Sequence, residues 1–99
     1  MKKINVVYYD LFDDVDILLV PDEIADNIEY VVWEFNQWLS SPENRNRFVL
    51  EVIDGYEVIG IETEAFLWWL NHLLIHTEHK AAILKQHTQL IPEYPCAEF

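Results

Sequence analysis

The chain has 99 residues, of which 52% are hydrophobic and 14% aromatic, with only two glycines and four prolines. This composition is the opposite of that of a disordered chain and predicts a single compact domain, residues 1–99, built around one core. Eighteen acidic residues against six basic ones give a formal net charge of −12. That charge repels phosphate backbones and anionic membranes, so we expect neither direct nucleic-acid nor membrane binding, and a basic protein surface as the partner.

Two features bear on the compartment. No apolar run approaches the roughly 18 residues that a membrane helix needs, and Asp10 comes too early for the apolar region of a signal peptide. The single cysteine, Cys96, cannot form an internal disulfide, whereas small secreted domains usually contain several. Both features predict a cytoplasmic protein.

The first half of the chain has the pattern of a hairpin followed by a helix. Residues 4–9 and 15–20 are apolar and β-prone, and residues 10–14 between them have the composition of a turn. Proline at position 21 and two carboxylates after it favour a helix start, and apolar steps of four and three predict one helix that ends at about Leu39. The apolar face of this helix consists of Ile24, Ile28, Val31, Phe35 and Trp38.

The second half repeats this order. Residues 48–53 and 56–61 flank Asp54-Gly55, a strong signal for a two-residue hairpin turn. Thr63 can cap a second helix, whose apolar spacing continues to about Gln86, with a break near Thr77 as the alternative. The apolar face of this helix consists of Phe66, Leu70, Leu73, Thr77, Ala81 and Leu84.

The two halves also align without a gap when they are shifted by 41 residues, with the acid, the turn, the apolar strand and the helix start in the same order. Two ββα half-units, of about residues 3–40 and 47–87, are therefore expected, with an extended C-terminal tail of residues 88–99. Duplication and two similar supersecondary units explain this pattern equally well. The predicted fold class is α+β, in the order ββαββα, with a mainly antiparallel four-stranded sheet and two helices packed on one face.

The densest acidic cluster lies at the first predicted turn and is a candidate surface for the basic partner. It consists of Asp10, Asp13, Asp14 and Asp16. A solvated turn explains the same residues, because aspartate is a common turn former. An EF-hand calcium loop does not fit, because the sixth position counted from Asp10 is Val15 and the twelfth is Pro21.

Four tryptophans in so short a chain are the second unusual feature. By helical angle, Trp33 and Trp68 lie off the core-facing stripes and are the candidates for exposure. Rigid aromatic side chains among acidic groups are typical of an interface that binds a basic protein. The alternative is that a thin α/β layer uses large aromatic side chains to fill its core and cover its edges.

Histidines form a third candidate site. On a continuous second helix, His72, His76 and His79 fall with His87 in a stripe roughly 80° wide, which suits a divalent metal ion, and Glu78 could assist. The glutamate of a zinc-protease helix is missing, since residues 73–75 are Leu, Leu and Ile. A polar flank beside the core stripe is the alternative.

The sequence contains no catalytic signature, so we expect no enzymatic activity and no cofactor. Cys96 has no histidine at a recognisable spacing, and neither a glycine-rich phosphate loop nor a serine nucleophile motif is present. In composition alone, the chain resembles the immunity proteins, anti-restriction proteins and nucleic-acid mimics of bacteria and phages. That resemblance implies an inhibitor of a basic protein and assigns no residues.

The sequence therefore predicts a small, acidic, non-enzymatic protein-binding module, of inhibitor, immunity or nucleic-acid-mimic type. Two alternatives remain at this level. A structural homo-oligomer would bury the second face of a sheet that two helices cover on one side only, and a metal-binding protein would use the histidines. The strand residues that are apolar on both faces are Ile17, Leu18, Leu19, Val49, Val52 and Ile53.

Overall fold

The structure, a computed structural model, describes residues 1–59 and 63–99. Its strands are β1 (Lys2–Val7), β2 (Val15–Val20), β3 (Val49–Ile53), β4 (Tyr56–Ile59), β5 (Ala82–Thr88) and β6 (Cys96–Glu98). Its helices are α1 (Asp22–Asp26), α2 (Ile28–Leu39), α3 (Pro42–Arg45) and α4 (Thr63–Trp69). A 3-10 turn, Asn46–Phe48, precedes β3, and α4 continues as a π-helical turn, Leu70–Leu74.

The predicted α+β class is confirmed, with a mainly antiparallel four-stranded sheet against which helices pack. The strand order in this sheet is β5-β2-β1-β6, and only the β1–β6 pair is parallel among the described pairs. The prediction was wrong about which strands fill the sheet. The second hairpin forms at Asp54-Gly55 as expected, but β3 and β4 make a separate two-stranded sheet.

The first predicted helix is interrupted once. Asn27 leaves the helical conformation at φ −124° and ψ 32°, and its side-chain amide donates to the carbonyl oxygen of Glu23 at 2.9 Å. The predicted end at Leu39 is confirmed. On the predicted apolar face, Trp38 is half-buried and the remaining four side chains are buried. Phe35, which is fully buried, lies with its ring centroid 5.3 Å from those of Phe66 and Trp69.

The second predicted helix ends near residue 74 and does not continue to Gln86. Ile75 is extended, with φ −91° and ψ 111°. The Nζ atom of Lys80 donates to the backbone oxygens of Asn71 and Ile75, and the Asn71 side chain bonds both backbone polar groups of Ala81. Side chains that satisfy the last carbonyls stabilise a helix end. The chain then reverses into β5, so the alternative of a break near Thr77 is closer to the structure.

The sheet has two different covered faces, as the two-residue period of strands requires. Ile4, Val6, Leu18 and Val20 belong to the core cluster beneath the helices. On the opposite face a smaller cluster is formed by Val7, Val15 and Ile17, against which pack Leu90, Ile91 and Tyr94. Residues 88–99, expected as an extended tail, thus supply both β6 and a cover for the second face.

Within residues 1–59 and 63–99, no helix has the length and apolar character needed to traverse a bilayer.

Candidate functional site

The connection between β1 and β2, residues 8–14, has a defined backbone shape, and we call it the acidic loop. The Leu11 N–H donates to the Tyr8 oxygen at 3.0 Å, and the Asp14 N–H donates to the Leu11 oxygen at 3.4 Å. Tyr9 and Asp10 both adopt left-handed backbone conformations, with φ of 54° and 59°. Aspartate tolerates this conformation, whereas for tyrosine it is uncommon and must be fixed by the surrounding structure.

Two further hydrogen bonds anchor the acidic loop to the C-terminal segment. The Tyr9 N–H donates to the Phe99 oxygen at 3.2 Å, and the Leu90 N–H donates to the Phe12 oxygen at 3.0 Å. The loop nevertheless exposes three large apolar side chains: Tyr9 is 77% exposed, Leu11 50% and Phe12 46%. The acidic loop therefore presents apolar surface from an anchored backbone.

The carboxylates of the loop alternate with these apolar side chains. Asp10, Asp13 and Asp14 are all exposed, as predicted for a turn, and no Lys or Arg occurs between residues 4 and 44. The resulting surface is both apolar and negatively charged.

Asp16, the fourth member of the predicted acidic cluster, has a different role. It is half-buried, its Oδ1 accepts the His87 N–H at 3.1 Å, and its Oδ2 accepts the hydroxyl of the buried Thr63. Both carboxylate oxygens therefore join β2 to the start of α4 and to β5. Asp16 stabilises the structure next to the acidic loop through these bonds and is not part of the loop's exposed surface.

A cleft of about 360 Å³ lies beside the acidic loop, between the loop, the start of α4 and β5. Its described lining consists of Tyr8, Tyr9, Leu11, Asp14, Asp16, Thr63, Glu64, Gln86 and His87. Three carboxylates line this cleft, and His87 is the only described lining residue that can become positively charged. The cleft extends the negative surface of the loop towards β5.

His87 reaches the cleft because β5 is irregular at this point. The register of β5 on β2 shifts between the pairs Val15–Thr88 and Ile17–Lys85, and His87 has φ 55°, as in a β-bulge. Its Nδ1 lies 2.8 Å from Oδ1 of Asp14. The hydrogen bond to Asp14, and then the Asp14 charge, raise the pKa of His87 above its ordinary value of 6.5.

The two candidate tryptophans lie outside the acidic loop and in different environments. Trp33, on α2, is 55% exposed as predicted, and its ring stacks on Tyr30 with centroids 5.8 Å apart. Trp68, on α4, is only half-buried rather than exposed: its ring centroid lies 4.7 Å from that of His72 and 6.0 Å from that of Trp38. Trp68 therefore fills the edge of the core.

The predicted helical stripe of histidines does not form, because the helix ends near residue 74. His72 lies in the π-helical turn with its Nδ1 2.8 Å from the Trp68 oxygen. His76 and His79 follow in irregular chain together with Glu78, and His87 is on β5. Within the described ranges, no three His, Cys, Asp or Glu side chains are grouped so that they could bind a metal ion.

Sequence reasoning missed the apolar part of the acidic loop and the position of His87. The signal for the first was present: Leu11 and Phe12 are large apolar residues inside a segment with turn composition. Large apolar side chains in a turn are exposed unless another part of the chain covers them, and here they are exposed. No local signal places His87 beside Asp14, because they are 73 residues apart in the chain.

Comparisons with known proteins provide no function for this surface. No protein-family model matches the chain, and neither does any curated protein or solved structure. The assignment of a function therefore depends on the chemistry of the acidic loop and the cleft beside it.

Proposed function

We propose that the protein is a non-enzymatic binding module that captures a basic protein through its acidic loop and thereby inhibits or masks that protein. The observation that supports this proposal is the exposure of Tyr9, Leu11 and Phe12 beside the carboxylates of Asp10 and Asp13 on an anchored backbone. The module corresponds to the inhibitor, immunity or nucleic-acid-mimic type.

The apolar side chains provide affinity. Buried aromatic and aliphatic side chains at the centre of an interface contribute most of the binding free energy. The acidic loop is already ordered by hydrogen bonds to the C-terminal segment, so docking costs little additional backbone entropy. Tyr9, Leu11 and Phe12 are the side chains that a partner would bury.

The carboxylates provide speed and selectivity. Among the described residues, salt bridges join the N-terminus to Asp22, Lys2 to Asp26 and His87 to Asp14, which leaves Asp10 and Asp13 without an ion pair. With a net charge of −12, these groups attract a positively charged surface from a distance and repel acidic proteins. Binding should therefore be fast and weakened by salt.

Two features support a hetero-complex over a homo-oligomer. The second sheet face, which self-association would bury, is covered in part by Leu90, Ile91 and Tyr94 of the same chain. The edges of the four-stranded sheet are β5, whose register shifts twice, and β6, which has three residues. Bulged and short edge strands discourage sheet-to-sheet pairing. The single cysteine, which cannot form an internal disulfide, supports a cytoplasmic setting for this binding.

The test is affinity capture of basic proteins at low and high salt by four matched forms of the protein, which are the wild type and three double variants. One variant removes loop charge (Asp10→Asn with Asp13→Asn), one removes loop apolar surface (Leu11→Ser with Phe12→Ser), and a control removes the same charge elsewhere (Glu43→Gln with Glu93→Gln). Asparagine suits position 10, because it tolerates the left-handed backbone.

We expect the wild type and the control to retain the same basic protein at low salt only, and both loop variants to lose it. The proposal fails if no basic protein is retained, or if the loop variants retain it as well as the control does.

A further inference from the structure

The His87–Asp14 pair connects β5, an edge strand of the four-stranded sheet, to the acidic loop. The imidazole Nδ1 lies 2.8 Å from Oδ1 of Asp14, and both side chains are open to solvent, at 79% and 52% exposure. Protons therefore exchange freely at this pair. The contact is an ion pair only when His87 is protonated, because the neutral imidazole carries no charge.

The backbone at His87 is held by hydrogen bonds that do not involve its imidazole. His87 has a left-handed backbone, and its N–H donates to Oδ1 of Asp16 at 3.1 Å. On the preceding residue, the Gln86 side-chain amide donates to Oε1 of Glu64 at 3.0 Å. These bonds fix the backbone of the β5 bulge to β2 and α4, so the backbone at His87 stays next to the acidic loop whether or not the imidazole is protonated.

The groups that face His87 are all acidic or neutral among the described residues of the cleft. Asp14 and Asp16 approach from the acidic loop and β2, Glu64 approaches from α4, and Gln86 adjoins on β5. Asp14 raises the pKa of His87 most, Asp16 and Glu64 raise it further, and the small loss of solvent lowers it. The protonated form therefore persists above the pH at which an ordinary histidine loses its proton.

We propose that the His87–Asp14 pair is a proton-operated latch on the acidic loop. The protonated imidazole fixes the loop to β5 and neutralises Asp14, and loss of the proton to solvent releases the Asp14 carboxylate for a cation of the partner. As a regulator of binding, the latch depends on the proposed capture of a basic protein. Its effect on the loop does not.

The protonation state of His87 should change the affinity for a basic partner in one direction only. With His87 protonated, the cleft carries three carboxylates and one positive charge, and a basic partner must displace the imidazole from Asp14. With His87 neutral, the same three carboxylates are uncompensated. Affinity for a basic ligand should therefore increase as the pH rises through the pKa of His87, and binding should release a proton from His87.

The latch is tested on the full chain by amide hydrogen exchange and by NMR titration of the histidines, at low salt and between about pH 5.5 and about pH 8. The measured quantity is the protection factor of the loop amides, which is the ratio of the intrinsic exchange rate to the observed one. This ratio removes the pH dependence of the intrinsic exchange rate. The variant is His87→Asn, because asparagine accepts the left-handed backbone without a charge. His79→Asn is the matched control, since His79 is exposed in irregular chain.

We expect His87 to titrate above 6.5, and the Asp14 amide to lose protection as His87 is deprotonated in the wild type and in the control. In His87→Asn this protection should be low at every pH. The latch is overturned if His87 titrates at or below the ordinary value, or if loop protection does not follow its titration.

A binding arm with a decalysine peptide separates the latch from the proposed function. We expect several-fold tighter binding at the higher pH in the wild type and in His79→Asn, and a smaller change in His87→Asn. Peptide binding with the same pH dependence in all three forms overturns the latch as a regulator and supports capture of basic ligands. A loop that responds to His87 but binds no peptide at either pH supports the latch and overturns the proposed function.

Discussion

The side-chain amide of Asn5 forms hydrogen bonds with both backbone polar groups of Ile91: Nδ2 donates to the oxygen at 2.9 Å, and Oδ1 accepts the N–H at 3.0 Å. Nδ2 also donates to the Tyr94 oxygen at 3.1 Å, and Asn5 is fully buried on β1. A single buried polar residue therefore fixes the segment that covers the second sheet face. The same segment anchors the acidic loop through Leu90.

Replacement of this residue should be costly. Asn5→Ala leaves the Ile91 N–H and two carbonyl groups without their partner, so we expect the free energy of unfolding to fall by about 2–3 kcal/mol. Urea denaturation measures this change. The control is Asn36→Ala, which removes an exposed asparagine of α2. Equal stability of the two variants would contradict the role assigned to Asn5.

Two aspartates of the predicted acidic cluster should differ in the same experiment. Asp16→Ala removes the acceptor of the buried Thr63 hydroxyl and of the His87 N–H, which should lower the free energy of unfolding by about 1–3 kcal/mol. Asp13→Ala, on the exposed loop, should change it by no more than about 0.5 kcal/mol. If both variants are equally stable, Asp16 belongs to the surface and not to the support of the loop.

The tryptophans offer a third comparison. Trp69 is 5% exposed and packs against Phe35 and Phe66, so Trp69→Ala should lower the free energy of unfolding by about 3–5 kcal/mol. Trp33 is 55% exposed, and Trp33→Ala should cost much less. Chemical denaturation of both variants decides this, and a larger loss for Trp33→Ala would contradict the described core.

The stability of the protein should depend on pH through His87. Because Asp14 raises the pKa of His87 in the folded protein above its ordinary value of 6.5, the pair stabilises the fold fully below that value. This contribution is lost as the pH rises through the raised pKa. The difference in stability between the wild type and His87→Asn should therefore shrink with increasing pH, and also in about 1 M salt, because the pair is exposed. A difference that grows with pH would contradict this sign.

The sequence predicted correctly several helices, strands and turns that depend on residues close together in the chain. The apolar, β-prone residues 15–20, the apolar steps that end at Leu39 and the Asp54-Gly55 turn all correspond to elements of the structure. The length of the second helix was wrong because Thr77, Ala81 and Leu84 continue a helical spacing by coincidence. The Asn71 and Lys80 side chains that end this helix act across the reversal of the chain, which periodicity does not detect.

The long-range strand pairings and part of the candidate site could not be predicted from local sequence patterns. β6 pairs with β1 across 91 residues between Asn5 and Cys96, and no local pattern specifies that partner. The acidic character of residues 10–14 was visible in the sequence, whereas the exposure of Leu11 and Phe12 follows from the anchored backbone of the loop. Residues 60–62 lie outside the described residues, so the predicted strand end at residue 61 stays a prediction.

The central claim is that the acidic loop binds a basic protein, and it is tested most directly by association and dissociation rates of the captured partner at several salt concentrations. We expect Leu11→Ser with Phe12→Ser to weaken binding about tenfold or more, mainly through faster dissociation, with an unchanged salt dependence. Asp10→Asn with Asp13→Asn should slow association and reduce the salt dependence. Rates that are the same in the wild type and in both loop variants would contradict the claim.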